Sequence, residues 1–355
     1  MLAACAIAQD QPWVIGPLTR PAAGNPVIAP NADSMFADPL LKTPARWEAL
    51  HTFNPAAIVR HGKIYVLYRA EDNSGAMEIG GHTSRLGLAE SKDGIHFKRR
   101  AEPVFYPAAD DQQAREWPGG VEDPRIVESE DGTYVLTYTQ WNRVTYSVGI
   151  ATSRDLVHWS KHGPAFLTAA SGKYAQLKYK SAGIVTRLYK DRLIAVKIHG
   201  KYFMYWGEGA IRLATSDDLI HWAPVEDVHG APLELLRARA GHFDSTFPET
   251  GPPPLLTDDG IVMIYNGKNA ASGGDPTLGA NAYAAGEALF DASNPAHLLE
   301  QTAHPVLKPE LAYEKTGQYI AGTTFAEGLV YFHKQWLLYY GCADSLVAVA
   351  MAPKR

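Results

Sequence analysis

The chain has 355 residues, 46% of them hydrophobic and 20% charged, with a formal net charge of −5. That is enough apolar material for one large core or two ordinary ones. The acidic balance, with no Lys/Arg run, argues against nucleic acid or an anionic membrane surface as a partner, and no apolar run approaches the ~18 residues of a membrane span.

In chain order, Met1-Leu2-Ala3-Ala4-Cys5 resembles the end of a bacterial lipoprotein signal, a small-residue box that closes on a lipidated cysteine. Export with a lipid anchor at Cys5 is the expectation, although the basic and apolar regions of such a signal do not precede it. Cys5 and Cys342 together cannot make a disulfide framework. Residues 1–40, rich in Pro, Ala, Gly and Asn, are expected to form a signal remnant and an extended arm, a tether rather than a packed element.

From residue 41 to 355 the sequence repeats. Ala89-Glu90-Ser91-Lys92-Asp93-Gly94-Ile95-His96-Phe97 returns as Ala151-Thr152-Ser153-Arg154-Asp155-Leu156-Val157-His158-Trp159. It returns again as Ala214-Thr215-Ser216-Asp217-Asp218-Leu219-Ile220-His221-Trp222, at a period of roughly 60 residues. Weaker descendants follow at Ala288–Asp291 and Val347–Ala350. Upstream of each copy lies a Tyr-rich alternating strand: Lys63–Arg69, Thr133–Thr139, Lys201–Trp206, Ile261–Asn266 and Gln335–Tyr340. Upstream of those lies a short apolar strand: Asn54–Val59, Asp123–Val127, Ser181–Val185, Thr250–Leu255 and Ala326–Val330. Amphipathic helical patterns are nearly absent. Five copies of three short strands describe a radial all-β array, a five-bladed β-propeller in a single domain.

Such an array gathers the ends of its first and second strands at one place. The stretch Gly119-Gly120-Val121-Glu122-Asp123-Pro124-Arg125-Ile126-Val127 puts two carboxylates and an arginine where a loop enters a strand. Two glycines permit the tight turn, and Pro124 biases Asp123 toward extended backbone. Asn54, Arg69, Glu71, Asp72, Lys180, Glu208, Glu249, Asn266, Glu327 and Asp344 occupy comparable strand ends. Tyr68, Trp117, Trp141, Tyr205 and Trp206 stand beside them. Carboxylates bond hydroxyls and move protons, and rings stack on the apolar faces of sugars, so a carbohydrate site is expected.

The motifs Asn54-Pro55-Ala56, Tyr68-Arg69-Ala70, Gly120-Val121-Glu122-Asp123-Pro124-Arg125, Ala151-Thr152-Ser153-Arg154-Asp155-Leu156 and Tyr339-Tyr340-Gly341-Cys342-Ala343-Asp344, in this order, resemble glycoside hydrolase family 130, the β-mannoside phosphorylases and β-mannosidases. The likeness runs from about Phe53 to Met351. It implies a five-bladed propeller that binds a mannoside oligosaccharide. It also implies Asp123 as general acid, acting through a hydroxyl of the mannose it releases. Asn54 and Asp344 match positions that hold that sugar; Arg69 and Arg125 match polar residues near the reaction centre. Asp72, Lys180, Tyr205 and Asn266 complete the expected substrate contacts.

The family divides into phosphorylases and inverting hydrolases, and this sequence departs from the phosphorylase pattern. Where phosphorylases carry a His-Arg pair after a Met, it reads Met204-Tyr205-Trp206-Gly207-Glu208-Gly209. A carboxylate there would repel a phosphate dianion by several kcal/mol. Phe247-Pro248-Glu249-Thr250 adds a second carboxylate. Glu208 and Glu249 then resemble the pair that activates water in the hydrolase branch, either one being the base, opposite Asp123 as acid. The expected activity is release of mannose from β-1,2-linked mannosides with inversion. The alternatives are a phosphorylase making α-mannose 1-phosphate, with Lys178, Lys180 and Arg212 as anion ligands, and a non-catalytic glycan-binding propeller. An arabinan- or fructan-cleaving propeller fits less well, because Asn54 sits where such enzymes place an aspartate. No organic cofactor and no metal are expected: His96, His158 and His221 recur with the repeat and read as turn residues. Ser91, Ser153 and Ser216 read likewise as turn hydrogen-bonders.

Overall fold

The computed structural model describes residues 11–354, so the expected anchor at Cys5 lies outside the described residues. Five antiparallel three-stranded meanders form the body. The first runs His51–Arg60, Lys63–Glu71, Ser84–Ser91 and the second Gly120–Glu128, Tyr134–Trp141, Tyr146–Ser153. The third runs Ala182–Ile184, Lys201–Trp206, Ile211–Ser216 and the fourth Phe247–Thr250, Ile261–Lys268, Tyr283–Phe290. The fifth runs Thr324–Phe332, Gln335–Cys342, Leu346–Pro353. Among the described residues the only α-helix is Gln113–Glu116, and no helix is long and apolar enough to cross a membrane.

Every expected strand is present, with one broken. Thr250–Leu255 divides into Phe247–Thr250 and Leu255–Leu256, because Pro252, Pro253 and Pro254 between them lack the N–H a ladder needs. A hairpin of Thr186–Tyr189 and Arg192–Ala195, unforeseen in the sequence, precedes the second strand of the third unit.

Both faces of each meander are apolar, so each must pack against two neighbours. Five hydrophobic clusters do this in a cycle. Leu67 and Leu88 of the first unit meet Ile126 and Leu136 of the second. Val135 and Ile150 meet Met204 and Trp206; Tyr205 and Leu213 meet Met263 and Phe290; Ile264 and Leu289 meet Leu329 and Leu338. Val330, Leu337 and Tyr339 of the fifth unit then return to Val59, Ile64 and Val66 of the first.

The Tyr-rich second strands have a specific repeated function. Tyr68 lies over Gly87 of the next strand and Tyr138 over Gly149, with no room for a Cβ at either glycine. In four of the five units the phenol donates to a buried carboxylate that also holds a cation. The sets are Tyr68–Glu48–Arg99, Tyr138–Glu116–Lys161, Tyr265–Asp244–Arg239 and Tyr340–Glu314–Arg20. In the fifth unit the cation comes from the N-terminal arm. That arm is a packed element, correcting the expectation of a tether. Thr19 and Ile28 bridge to Met351 and Val347 of the last strand, and Trp13, Val14, Ile15 and Ile28 are buried. A Pro/Ala/Gly-rich segment can dock this way because an edge strand offers it unpaired backbone groups.

The recurring serine motif is a turn, as expected. Ser91 Oγ accepts from Gly94 N, Asp93 Oδ1 accepts from the Ile95 and His96 amides, and His96 Nδ1 lies 2.8 Å from Asp93 Oδ2. The same bonds recur at Ser153–His158 and Ser216–His221.

Candidate active site

Three first strands interrupt their ladders once each. Pairing jumps from Phe53 to Pro55, from Glu122 to Arg125, and from Ala326 to Gly328. The skipped residues include Asn54, Asp123 and Glu327. A bulge re-aims the side chain it carries, and here each holds a polar group. Asn54 and Asp123 both take left-handed backbone, with φ of 45° and 48°. This corrects the extended conformation expected for Asp123. Pro124 has no N–H to pair, so the ladder passes over it, and surrounding contacts hold the residue before it in a region it would otherwise avoid.

Asp123 Oδ1 accepts from Asn54 Nδ2 at 2.8 Å and from Arg69 Nη1 at 3.1 Å. Arg69 Nη2 reaches Glu71 at 2.7 Å and Glu122 at 2.8 Å, and its Nε donates to Ser84 Oγ, which donates in turn to Glu122. One guanidinium thus serves three carboxylates. Burial, outweighing Arg69 and reinforced by Asp123 and Glu71, pushes Glu122 up to about 7. Burial would raise Asp123 as well, but Arg69, Lys180, Arg125 and the Asn54 bond prevail and hold it below the ordinary carboxylate range. Asp344, at φ 51°, is pushed up to about 7 by burial, against Arg69 and with Asp123 and Glu71.

A second carboxylate pair stands across the site. Glu208 and Glu249 form a lone antiparallel bridge between the third and fourth units. Lys180 Nζ lies 3.3 Å from Glu208 and 3.5 Å from Glu249, and Ser181 Oγ donates to Glu249 at 2.5 Å. Burial would lower Lys180, yet Glu249, Glu208 and Asp123 keep it well above the usual lysine range. Burial raises Glu249, opposed by Lys180 and aided by Glu208. Asp123, Arg69, Asn54, Asp344, Lys180, Glu208 and Glu249 therefore share one electrostatic field.

Three expected contacts, Asp72, Tyr205 and Asn266, fall elsewhere, and Arg125 lies beside Asp123 with its guanidinium engaged by backbone carbonyls. Asp72 has both oxygens engaged, by Ser74 and by Arg85 at 2.6 Å. Tyr205 is the core tyrosine of its unit, donating to the Pro295 carbonyl at 2.7 Å and packing on Phe290. Asn266 binds the backbone of Ala326 through both ends of its amide. Arg125 is buried against the carbonyls of Asp123, Thr250 and Gly251, with Glu327 3.0 Å away, so it ties units together behind the acid. Of the alternative anion ligands, Arg212 pairs with Glu234, and Lys178 is exposed and reaches only the Val144 carbonyl. Ser84 and Ser181 were missed. Ser181 shares the left-handed backbone of Asn54 and Asp123, with φ of 56°, and its place just before the first strand of the third unit is the signal that marks it.

One family model, described as beta-1,4-mannooligosaccharide phosphorylase, matches residues 33–355. The chain belongs to glycoside hydrolase family 130. Its members are enzymes that act on mannosides. A 1,2-beta-oligomannan phosphorylase of Thermoanaerobacter sp. (strain X514) is 31% identical, over 92% of this chain and 94% of its own. A glycosyl hydrolase of Bacteroides ovatus, solved by crystallography, is 51% identical with a TM-score of 0.94, covering 97% and 96% of the two chains. Another solved family member, 50% identical with a TM-score of 0.94 and covering 97% of each chain, is described in these terms: the family of mannoside phosphorylases contains glycoside hydrolases that target β-1,2 mannosidic linkages in Candida mannan.

Proposed function

We propose that the protein is an inverting β-mannosidase that releases mannose from β-1,2-linked mannosides, built as a five-bladed propeller whose blades are the five meanders. The cycle of hydrophobic clusters supports the propeller. The observation that carries the hydrolase reading is Lys180 held between Glu208 and Glu249. Two carboxylates flank Lys180, and Arg212 is paired with Glu234, so a phosphate dianion approaching Lys180 would meet carboxylates rather than a free cation. A water molecule there meets a base instead. Half the residues are shared with the relative described as targeting β-1,2 linkages, against 31% with the oligomannan phosphorylase.

In this reading Asp123 is the acid and Glu208 or Glu249 the base. Glu122 and Asp344, each pushed up to about 7 by burial, are the carboxyls beside Asp123 that favour the protonated form. The phosphorylase reading is favoured by one observation, a lysine whose ammonium stays charged beside the reaction centre.

Incubation with β-1,2-mannobiose, with and without inorganic phosphate, separates the two. Hydrolysis gives free mannose at equal rates in both, appearing first as the α-anomer by NMR. Mannose 1-phosphate formed only with phosphate would overturn the reading.

A further inference from the structure

We propose that His51, Glu71 and His82 form a binding site for one divalent cation of the zinc class, where the sequence reading expected no metal. Their ligand atoms all lie within 4.8 Å of one another, with Glu71 and His82 buried and His51 half-buried. His51 and Glu71 are direct partners across the first two strands of the first unit, and His82 sits on the loop that returns to the third. A ladder fixes two of the three ligands, which is how a precise site is held.

The hydrogen bonds around the imidazoles are those of metal-ligating histidines. His82 Nδ1 lies 3.2 Å from the Ser74 carbonyl, which can only accept, so Nδ1 carries the proton and Nε2 presents its lone pair. His51 Nδ1 is 2.9 Å from Ser345 Oγ of the fifth unit, leaving Nε2 as its free nitrogen. Neither Nε2 has a hydrogen-bond partner among the described residues. Each Nε2 is thus open to an occupant, and second-shell bonds to the opposite nitrogen are what orient a ligating ring. Glu71 engages Arg69 through Oε1, while Oε2 accepts only a 3.2 Å bond from Gln318 and is the third ligand.

Two neutral nitrogens and one carboxylate suit zinc with an open fourth position. Calcium and magnesium require oxygen shells. Ligands at about 2.0–2.2 Å from an ion stand roughly 3.4 Å apart, so closing on it takes side-chain shifts of about an ångström. The exposed His96, His158 and His221 offer nothing comparable, each having one aspartate in its own turn. Because Glu71 also holds Arg69, an ion on Glu71 would loosen that carboxylate's hold on the guanidinium that positions Asp123.

The test is zinc titration of the chelator-treated full-length protein against a competing chromophoric chelator, with cobalt(II) substituted for its visible spectrum. One tight equivalent is expected, with cobalt bands of a four- or five-coordinate site. It should vanish in His51→Gln and His82→Gln variants shown to be folded by far-UV circular dichroism. Absence of a tight equivalent in the wild type, or one that survives both substitutions, overturns the site. Should either variant fail to fold, Ser345→Ala decides. A roughly 10–100-fold weaker zinc affinity at unchanged stoichiometry is expected of a residue that orients His51, and unchanged affinity overturns the proposal.

Discussion

Arg69 and Arg85 sit on adjacent strands of the first unit, both buried and both among acids, yet only one belongs to the candidate site. Arg85 is completely enclosed, and its two carboxylates are fully answered. Asp38 takes its Nε and Nη2 and the amides of Leu40 and Leu41; Asp72 takes its Nη1 and the amide and hydroxyl of Ser74. Arg69 is shared by three carboxylates; burial outweighs its pull on Glu122 and raises that group to about 7, and the Asn54 carbonyl oxygen beside Asp123 has no partner among the described residues. A saturated ion network is scaffold. An undersupplied one keeps a proton to move and an acceptor to offer a ligand.

The comparison breaks most sharply on isosteric amides at equivalent acids. Asp123→Asn should lower turnover by roughly 10²–10⁴-fold, the scale of a lost general acid, with the melting temperature little changed. Near-wild-type turnover would remove Asp123 from the chemistry. Glu208→Gln and Glu249→Gln should each cost about 10²-fold at least, and neither should gain rate from added phosphate. A phosphate-dependent rate in either variant would mean that Lys180, freed of a carboxylate, had become an anion site. Asp72→Asn should invert the pattern. It should retain turnover per folded molecule and lose about 1.5–3 kcal/mol of stability in denaturant unfolding, as an Arg85 bond loses its charge. A catalytic defect without a stability defect would return Asp72 to the substrate.

That contrast also marks what the sequence could carry. The period of the Ser-x-Asp-x-x-His turns and the tyrosine strands made five three-stranded units legible, because turn chemistry and period-2 burial are local. Asn54, Arg69, Asp123, Lys180, Glu208, Glu249 and Asp344 were legible because strand ends converge in any such array. The partners of Asp72, Tyr205 and Asn266 were not. Whether an Asp at a strand end meets Arg85 or open space depends on Asp38, from a segment outside the repeat. The bulges were hidden for a related reason. Asn-Pro and Asp-Pro read locally as extended, and only ladder pairing across the strand places the residue before each proline in left-handed backbone. The arm's packing was hidden too, since composition alone cannot show that the last strand leaves its edge open for Thr19 and Ile28.

The smallest effect tests the undersupply itself. Glu122 is raised from 4.5 to about 7, so between these values the folded chain holds a proton that the unfolded chain has released. Its contribution to stability is complete below about pH 4.5 and is lost as the pH rises toward 7. Asp344, raised from 3.8 to about 7, acts in the same direction. Burial lowers His51 and His162, so they act oppositely, adding stability as the pH rises through their unfolded value of 6.5. Glu122→Gln leaves Asp344 and both histidines in place and fixes one carboxyl in its neutral shape. The melting temperature of the variant relative to wild type should therefore climb by a few degrees from pH 5 to pH 8 and then level off. The same substitution weakens one Arg69 contact at every pH, which offsets the curve without bending it. A flat difference across that range would mean that Glu122 is ionised in the folded protein and that Arg69 supplies all three carboxylates after all.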